Sequence, residues 1–150
     1  LLTTEKYRYF DNEQIKKVKK NMKISNRNLS KLNSLFKKYE SLFKLPERYE
    51  GVRTPWWSFL IVIKKNKFFD RKKLQIYLEK NNIQTRTIFT GNILKKPVMK
   101  NRIYQKQKNC DIVANDVMKN GILIGCHHGM SINDVNLICK VFLKIIKKWR

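Results

Sequence analysis

The sequence predicts an α+β fold: a small antiparallel or mixed sheet of about three strands packed with helices, preceded by one long N-terminal helix. Three observations carry this reading. Apolar residues recur at helical spacing through the first third of the chain. Three short runs rich in β-branched or aromatic residues stand out: WWSFLIVI at 56–63, Ile83 to Phe89, and GILIG at 121–125. Helical patterns separate and follow these runs, an order that covers a small sheet with helices.

In chain order, Asp11 with Gln14 resembles an N-cap and its capping-box partner. Ile15, Val18, Met22, Leu29, Leu32, Phe36, Tyr39 and Phe43 then keep helical spacing, with an expected break near Ser25 to Asn28 and an end at Pro46. The lysines fall on the polar face, as in a solvated amphipathic helix. Glu47 to Thr54 is a polar connection into Pro55. The run 56–63 is too short and too unbroken for a surface helix, which makes it a buried central strand. Asp70 caps a helix with Leu74, Tyr77 and Leu78 on one face, closing at Asn81 and Asn82. Ile83 to Phe89 is the second strand, and a loop containing Gly91 and Pro97 follows. Asp111 opens a helix through Val113, Val117 and Met118, stopped by Asn120 and Gly121. GILIG is the third strand. Ser131 and Asp134 start the last helix, with Val135, Ile138, Phe142 and Ile145 inward and Lys147, Lys148 and Arg150 at its negative end.

The 150 residues, 42% of them hydrophobic, suffice for one core. No apolar run approaches membrane-spanning length and the first residues lack a signal-peptide pattern, so the expected compartment is the cytoplasm, without membrane contact. Cys110, Cys126 and Cys139 are odd in number and sit in periodic segments, so they read as reduced apolar residues. Leu1 in place of Met points to a piece of something longer. The net charge of +23, from 34 basic and 11 acidic residues, would ordinarily indicate nucleic acid or an anionic surface. Lys, Asn and Ile are all abundant, as an AT-rich coding sequence would give, but that bias does not account for the few acids.

Few residues carry recognisable chemistry. Thr85 to Asn92, TRTIFTGN, runs from a strand into a Gly-containing loop, where scaffolds present functional side chains. Arg86 is either an anion clamp for a phosphate or carboxylate or a surface arginine. Gly91 lets a backbone approach a ligand, and Asn92 offers both a donor and an acceptor. Cys126, His127 and His128 invite a metal reading, but adjacent residues rarely all reach one ion and the chain has only these two histidines. Between a strand end and a helix start, His127 and His128 either border an anionic ligand or cap the helix. Trp56 and Trp57 could stack on bases, but alternation sends one to each face of a strand, as in packing. No nucleophile constellation or paired-carboxylate arrangement stands out, so no catalytic residue is assigned.

TRTIFTGN resembles the Thr-Arg-x-x-Phe-x-Gly-Asn segment of the CDP-4-keto-6-deoxyglucose 3-dehydrases of lipopolysaccharide deoxysugar synthesis, within the wider DegT/DnrJ/EryC/StrS sugar aminotransferase group. LPERYEGVRTPWWSFLIVI is similar to the linker and first strand of their small domain. ILKKPVMKN follows the Gly-Asn as their Gln-Pro segment does, and NGILIGCHHGMS resembles their Ile-Gly-x-x-Pro-Gly-Leu turn, with His128 in place of the proline. The likeness covers roughly residues 29–146.

The resemblance implies the small domain of the pyridoxal-phosphate fold type I architecture, with residues 1–45 as a linking helix from a missing large domain and 46–150 as the C-terminal small domain. It implies pyridoxal or pyridoxamine phosphate in the full-length enzyme, with none held by this chain alone, and a large domain or homodimer partner that supplies the cofactor pocket. It also implies a CDP-hexose substrate, with Arg86 in contact with its phosphate or sugar oxygens and Asn92 with a sugar hydroxyl or the cofactor; Gly91, His127 and His128 complete the candidate substrate-binding set. The readings left open are a sugar aminotransferase domain of the same group, a basic nucleic-acid-binding module and an inert remnant.

Overall fold

The two most apolar runs of the sequence pair with each other at the centre of an antiparallel sheet. The computed structural model describes residues 2–47, 49–52 and 54–149, with residues 2–12 as backbone only. Its elements are α1 (Leu2–Lys37), β1 (Phe43–Lys44), β2 (Ser58–Ile63), α2 (Arg71–Lys80), β3 (Thr85–Arg86), α3 (Cys110–Asn120), β4 (Gly121–Gly125) and α4 (Ile132–Trp149). The strands lie in the order β1-β2-β4-β3, all antiparallel. Phe59 stands opposite Ile124 and Ile61 opposite Ile122, a register that puts these four side chains on one face.

That face is covered by α1, α2 and α4. Phe36 of α1 is the hub, with ring centroids 5.2 Å from Phe43, 5.3 Å from Phe59 and 4.6 Å from Phe142. Leu29, Leu32, Leu74, Leu78, Val135, Ile138 and Ile145 fill the space around it. α3 lies on the other face: Phe43 points to α1, so its neighbour Lys44 points away, and Lys44 meets Asp116 of α3 at 2.7 Å. The cover there is partial, since Leu60 and Leu123 are only half-buried.

Local signals place most helix ends. The Asp70 carboxylate accepts from the Lys73 amide at 2.8 Å, and Asn82 takes the left-handed conformation with φ of 59° as the chain leaves α2. Asp134 accepts from both the amide and the hydroxyl of Ser131, at 2.7 and 2.8 Å, while the Asp134 amide donates back to Ser131 Oγ at 3.2 Å. These bonds hold the Asp134 carboxyl below its ordinary value. Lys147 and Lys148 occupy the last turn of α4, and Arg150 lies outside the described residues.

Four expectations need correction. Asp11 sits inside α1 and does not start it, because the helix continues back to Leu2 through residues with no Gly or Pro to stop it. The break near Ser25 to Asn28 is absent, and the helix runs through both residues, which are buried. At its far end α1 stops at Lys37, and the turns that follow bring Phe43 back beside Phe36 as part of a fourth strand. A helical spacing of seven and a chain reversal both place residues 36 and 43 together, so periodicity could not separate them. The strand expected over Ile83 to Phe89 pairs only at Thr85 and Arg86, opposite Ile124 and Leu123, and the chain then leaves the sheet before reaching the positions opposite Ile122 and Gly121.

Candidate functional site

Strand alternation sends Thr85 inward, where its hydroxyl donates to Glu79 at 2.6 Å and accepts from Gln75 at 3.2 Å, both on α2. Arg86 therefore stands on the opposite face, across from Leu123, which is itself across from Leu60. It is exposed, and no described residue forms a hydrogen bond or ion pair with its guanidinium. The loop beyond it carries Phe89, 90% exposed with φ of 38°, a conformation that strains a residue with a Cβ.

The rest of the loop is braced from behind. Gly91 has φ of 68°, and a Cβ there would come within 2.8 Å of the Met118 side chain, so only glycine allows this approach to α3. Asn92 is buried. Its Oδ1 accepts from the Leu94 amide at 3.0 Å, its Nδ2 donates to Asn115 Oδ1 at 3.0 Å, and its amide meets Met118 Sδ at 3.4 Å. These bonds point into the protein, so Asn92 shapes the loop that presents Arg86 and Phe89. At the foot of α3, Asp111 pairs with Lys106 at 2.7 Å, and that lysine's hydrogen bond lowers the carboxyl's pKa.

The two histidines are elsewhere. His127 and His128 are exposed in the turn between β4 and α4, with ring centroids 6.4 Å apart. Arg86 lies opposite Leu123, whereas His127 comes two residues after the end of β4 at Gly125. Arg86 thus stands beside the middle of β4, Gly91 and Asn92 pack on α3, and the histidines lie beyond the Gly125 end of β4. Each histidine borders its own cleft: His127 faces one with Asn82, Gln84, Met130 and Asp134, and His128 faces one with Val18, Met22, Pro55 and Trp57. Cys126 beside them is buried, donates to the Trp56 carbonyl at 3.4 Å, and has its pKa pushed up to about 12 by burial. Among the described residues no three His, Cys, Asp or Glu side chains converge as metal ligands, and no helix is long and apolar enough to cross a membrane.

Two residues escaped the sequence reading. Asn28 occupies a core-facing position of α1 and bonds the His127 turn; its signal was the polar interruption of an apolar stripe, read as a helix break. Phe89 is the exposed ring at the loop tip, and its signal was its place inside TRTIFTGN.

With this geometry in hand, the comparisons converge. The profile of the DegT/DnrJ/EryC1/StrS aminotransferase family matches residues 11–143. GDP-4-keto-6-deoxy-D-mannose 3-dehydratase of Escherichia coli O55:H7 is 30% identical over 130 residues, covering 86% of this chain and 32% of the relative. Lipopolysaccharide biosynthesis protein RfbH of Salmonella typhimurium is 27% identical over 115 residues, covering 75% and 26% respectively. The solved structure of the E. coli GDP-4-keto-6-deoxy-D-mannose-3-dehydratase with bound hydrated PLP superposes with a TM-score of 0.76 at 28% identity, over 86% of this chain and 32% of that one. Helicobacter pylori PseC, an aminotransferase, shares the fold with a TM-score of 0.72 at 17% identity, over 91% and 35%. The chain thus spans about a third or less of the length of these curated relatives.

PLP in such neighbours needs an enclosed pocket and groups that tune its ring. Among the described residues no lysine is buried, and the carboxylates Asp111, Asp116 and Asp134 are engaged by Lys106, by Lys44 with Asn120, and by Ser131. The described residues do not by themselves make a fitting pocket for PLP.

Proposed function

This chain belongs to the DegT/DnrJ/EryC1/StrS aminotransferase family, and on that premise we propose that it is the small-domain part of a nucleotide-sugar 3-dehydratase of deoxysugar biosynthesis. In this reading the small domain forms one wall of a site whose cofactor pocket comes from a large domain and a dimer partner. The observation that carries it is the Arg86 to Asn92 loop: a guanidinium free of described partners and an exposed Phe89 ring, held from behind by Gly91 against Met118 and by Asn92 against Asn115. A guanidinium grips a diphosphate in bidentate fashion, and an exposed ring beside it suits a base or sugar face. Gly91 and Asn92 hold the loop's shape, and His127 and His128 border a more distant part of the ligand.

The 3-dehydratase reading is preferred to an aminotransferase because a 3-dehydratase stands at 30% identity over most of this chain, whereas the aminotransferase PseC shares only the fold. The nucleotide is tested as a series, with the CDP-hexose that the motif resemblance implies beside a GDP-hexose, the kind of sugar the E. coli relative's name states. A ligand that binds only the folded chain raises its stability, so thermal unfolding reads the fit. At least one nucleotide hexose should raise the melting temperature, and Arg86→Ala should abolish the shift while Lys95→Ala keeps it. Equal losses in the two variants would remove the clamp role. A salt-sensitive shift with a DNA duplex and none with any nucleotide hexose would replace the proposal with a polyanion-binding one.

A further inference from the structure

Burying a carboxamide inside a helix interface costs free energy unless every polar atom finds a partner. Asn28 is fully buried and meets that demand across 99 and 102 residues of sequence: its Nδ2 donates to the carbonyls of His127 at 3.0 Å and Met130 at 3.2 Å. Its Oδ1 accepts from Arg27 Nε at 3.2 Å and Nη2 at 2.9 Å, so both hydrogens and both lone pairs are used. The two carbonyls converge on one amide group, which is possible only while residues 127–130 hold their turn. The Met130 amide closes that turn onto the His127 carbonyl at 3.1 Å.

Inside the turn the His127 ring is itself held. The Gly129 amide donates to His127 Nδ1 at 3.1 Å, and a Cβ on Gly129 would crowd the ring, at 3.1 Å from Nδ1 and 3.2 Å from Cε1. With Nδ1 occupied as an acceptor, a neutral imidazole carries its proton on Nε2. The ring borders a cleft of about 290 Å³ with Asn82, Gln84 and Asp134.

We infer that Asn28 is a positioning residue: by fastening the 127–130 turn to α1 it locks His127 as the Nε2–H tautomer, a donor offered to an oxygen of the ligand in this cleft. The ligand part rests on the function proposed above; the lock does not.

Because the chain has only two histidines, a long-range proton–nitrogen NMR spectrum shows two ring systems, assigned with His128→Gln. It is recorded in alkaline solution, at a pH where the ring signals no longer change with pH. The wild-type His127 is expected as one Nε2–H tautomer. Asn28→Ala, or Asn28→Asp if the alanine variant does not fold, is expected to give a tautomer mixture. Ser25→Ala, which alters a neighbouring buried polar residue whose hydroxyl donates to the Met22 carbonyl, should keep the wild-type pattern. A mixture already present in the wild type, or a folded Asn28 variant with His127 still locked, overturns the inference. Titrations with a nucleoside diphosphate and with a free hexose then separate phosphate from sugar oxygens. A locked tautomer that responds to neither, nor to any nucleotide hexose, supports the Asn28 lock and overturns the substrate-side role of His127.

Discussion

Replacing Phe36 by alanine tests whether α1 belongs to the core or only leads up to it. The side chain is 0% exposed and touches rings from β1, β2 and α4. A buried aromatic removes roughly 150–250 Å² from water, which at about 25 cal/mol per Å² corresponds to about 4–6 kcal/mol as an upper bound. Large-to-small core changes of this kind cost about 3–5 kcal/mol, so about 4 kcal/mol is expected. A domain of this size stands about 5–15 kcal/mol above its unfolded state, so the variant loses a large share of its stability. At about 2–4 °C per kcal/mol, the melting temperature should fall by about 8–16 °C. Urea unfolding followed by circular dichroism gives the free energy directly, and an unchanged slope shows that the unfolded state is unaltered. Phe43→Ala combined with Phe36→Ala should cost less than the sum, by about 0.5–1.5 kcal/mol, if the two rings interact as their edge-on geometry implies. A loss below about 1 kcal/mol for Phe36→Ala would refute the docking of α1. Residues 46–150 alone, lacking Leu29, Leu32, Phe36, Leu42 and Phe43, are expected to show no cooperative transition.

Gly91→Ala should cost about 2–4 kcal/mol in urea unfolding, from backbone strain plus the clash with Met118, while Gly51→Ala, also at positive φ but in open space, should cost about 1 kcal/mol. With a maleimide at about pH 8, half-exposed Cys110 should react in the native chain and buried Cys126 only after unfolding, as mass spectrometry of the peptides would show. The Cys126 thiol stays protonated in the native state up to about 12 but ionises near its ordinary 9.0 once unfolded, so it removes stability as pH rises between those values. Asp134 has the opposite sign. Its native pKa is lowered below 3.8 by Ser131, so the cap's contribution is present above that value and is lost as pH falls through the native pKa. The stability difference between wild type and Ser131→Ala should therefore be constant near neutrality and shrink in acid.

The elements that could be read from the sequence are those whose determinants are local. Asp70, the Ser131–Asp134 box and the GILIG run carry their own hydrogen-bonding or β-branched signature within a few residues, and each lies where its chemistry places it. The inward set of α4, Val135, Ile138, Phe142 and Ile145, follows from period alone. TRTIFTGN and the turn after GILIG likewise pointed to the family. Tertiary structure decided the rest, because the deciding partners are remote in sequence. Phe43 is a strand residue through its pairing with Ile63, and Asn28 is a clamp because two carbonyls about 100 residues away accept its hydrogens. Arg86 and the histidines both border β4, yet only the register of β3 on β4 shows that Arg86 stands beside its middle while the histidines lie past its Gly125 end. A sequence states which groups can satisfy a buried polar atom or an apolar face, and the packed chain selects among them by which arrangement leaves none unsatisfied.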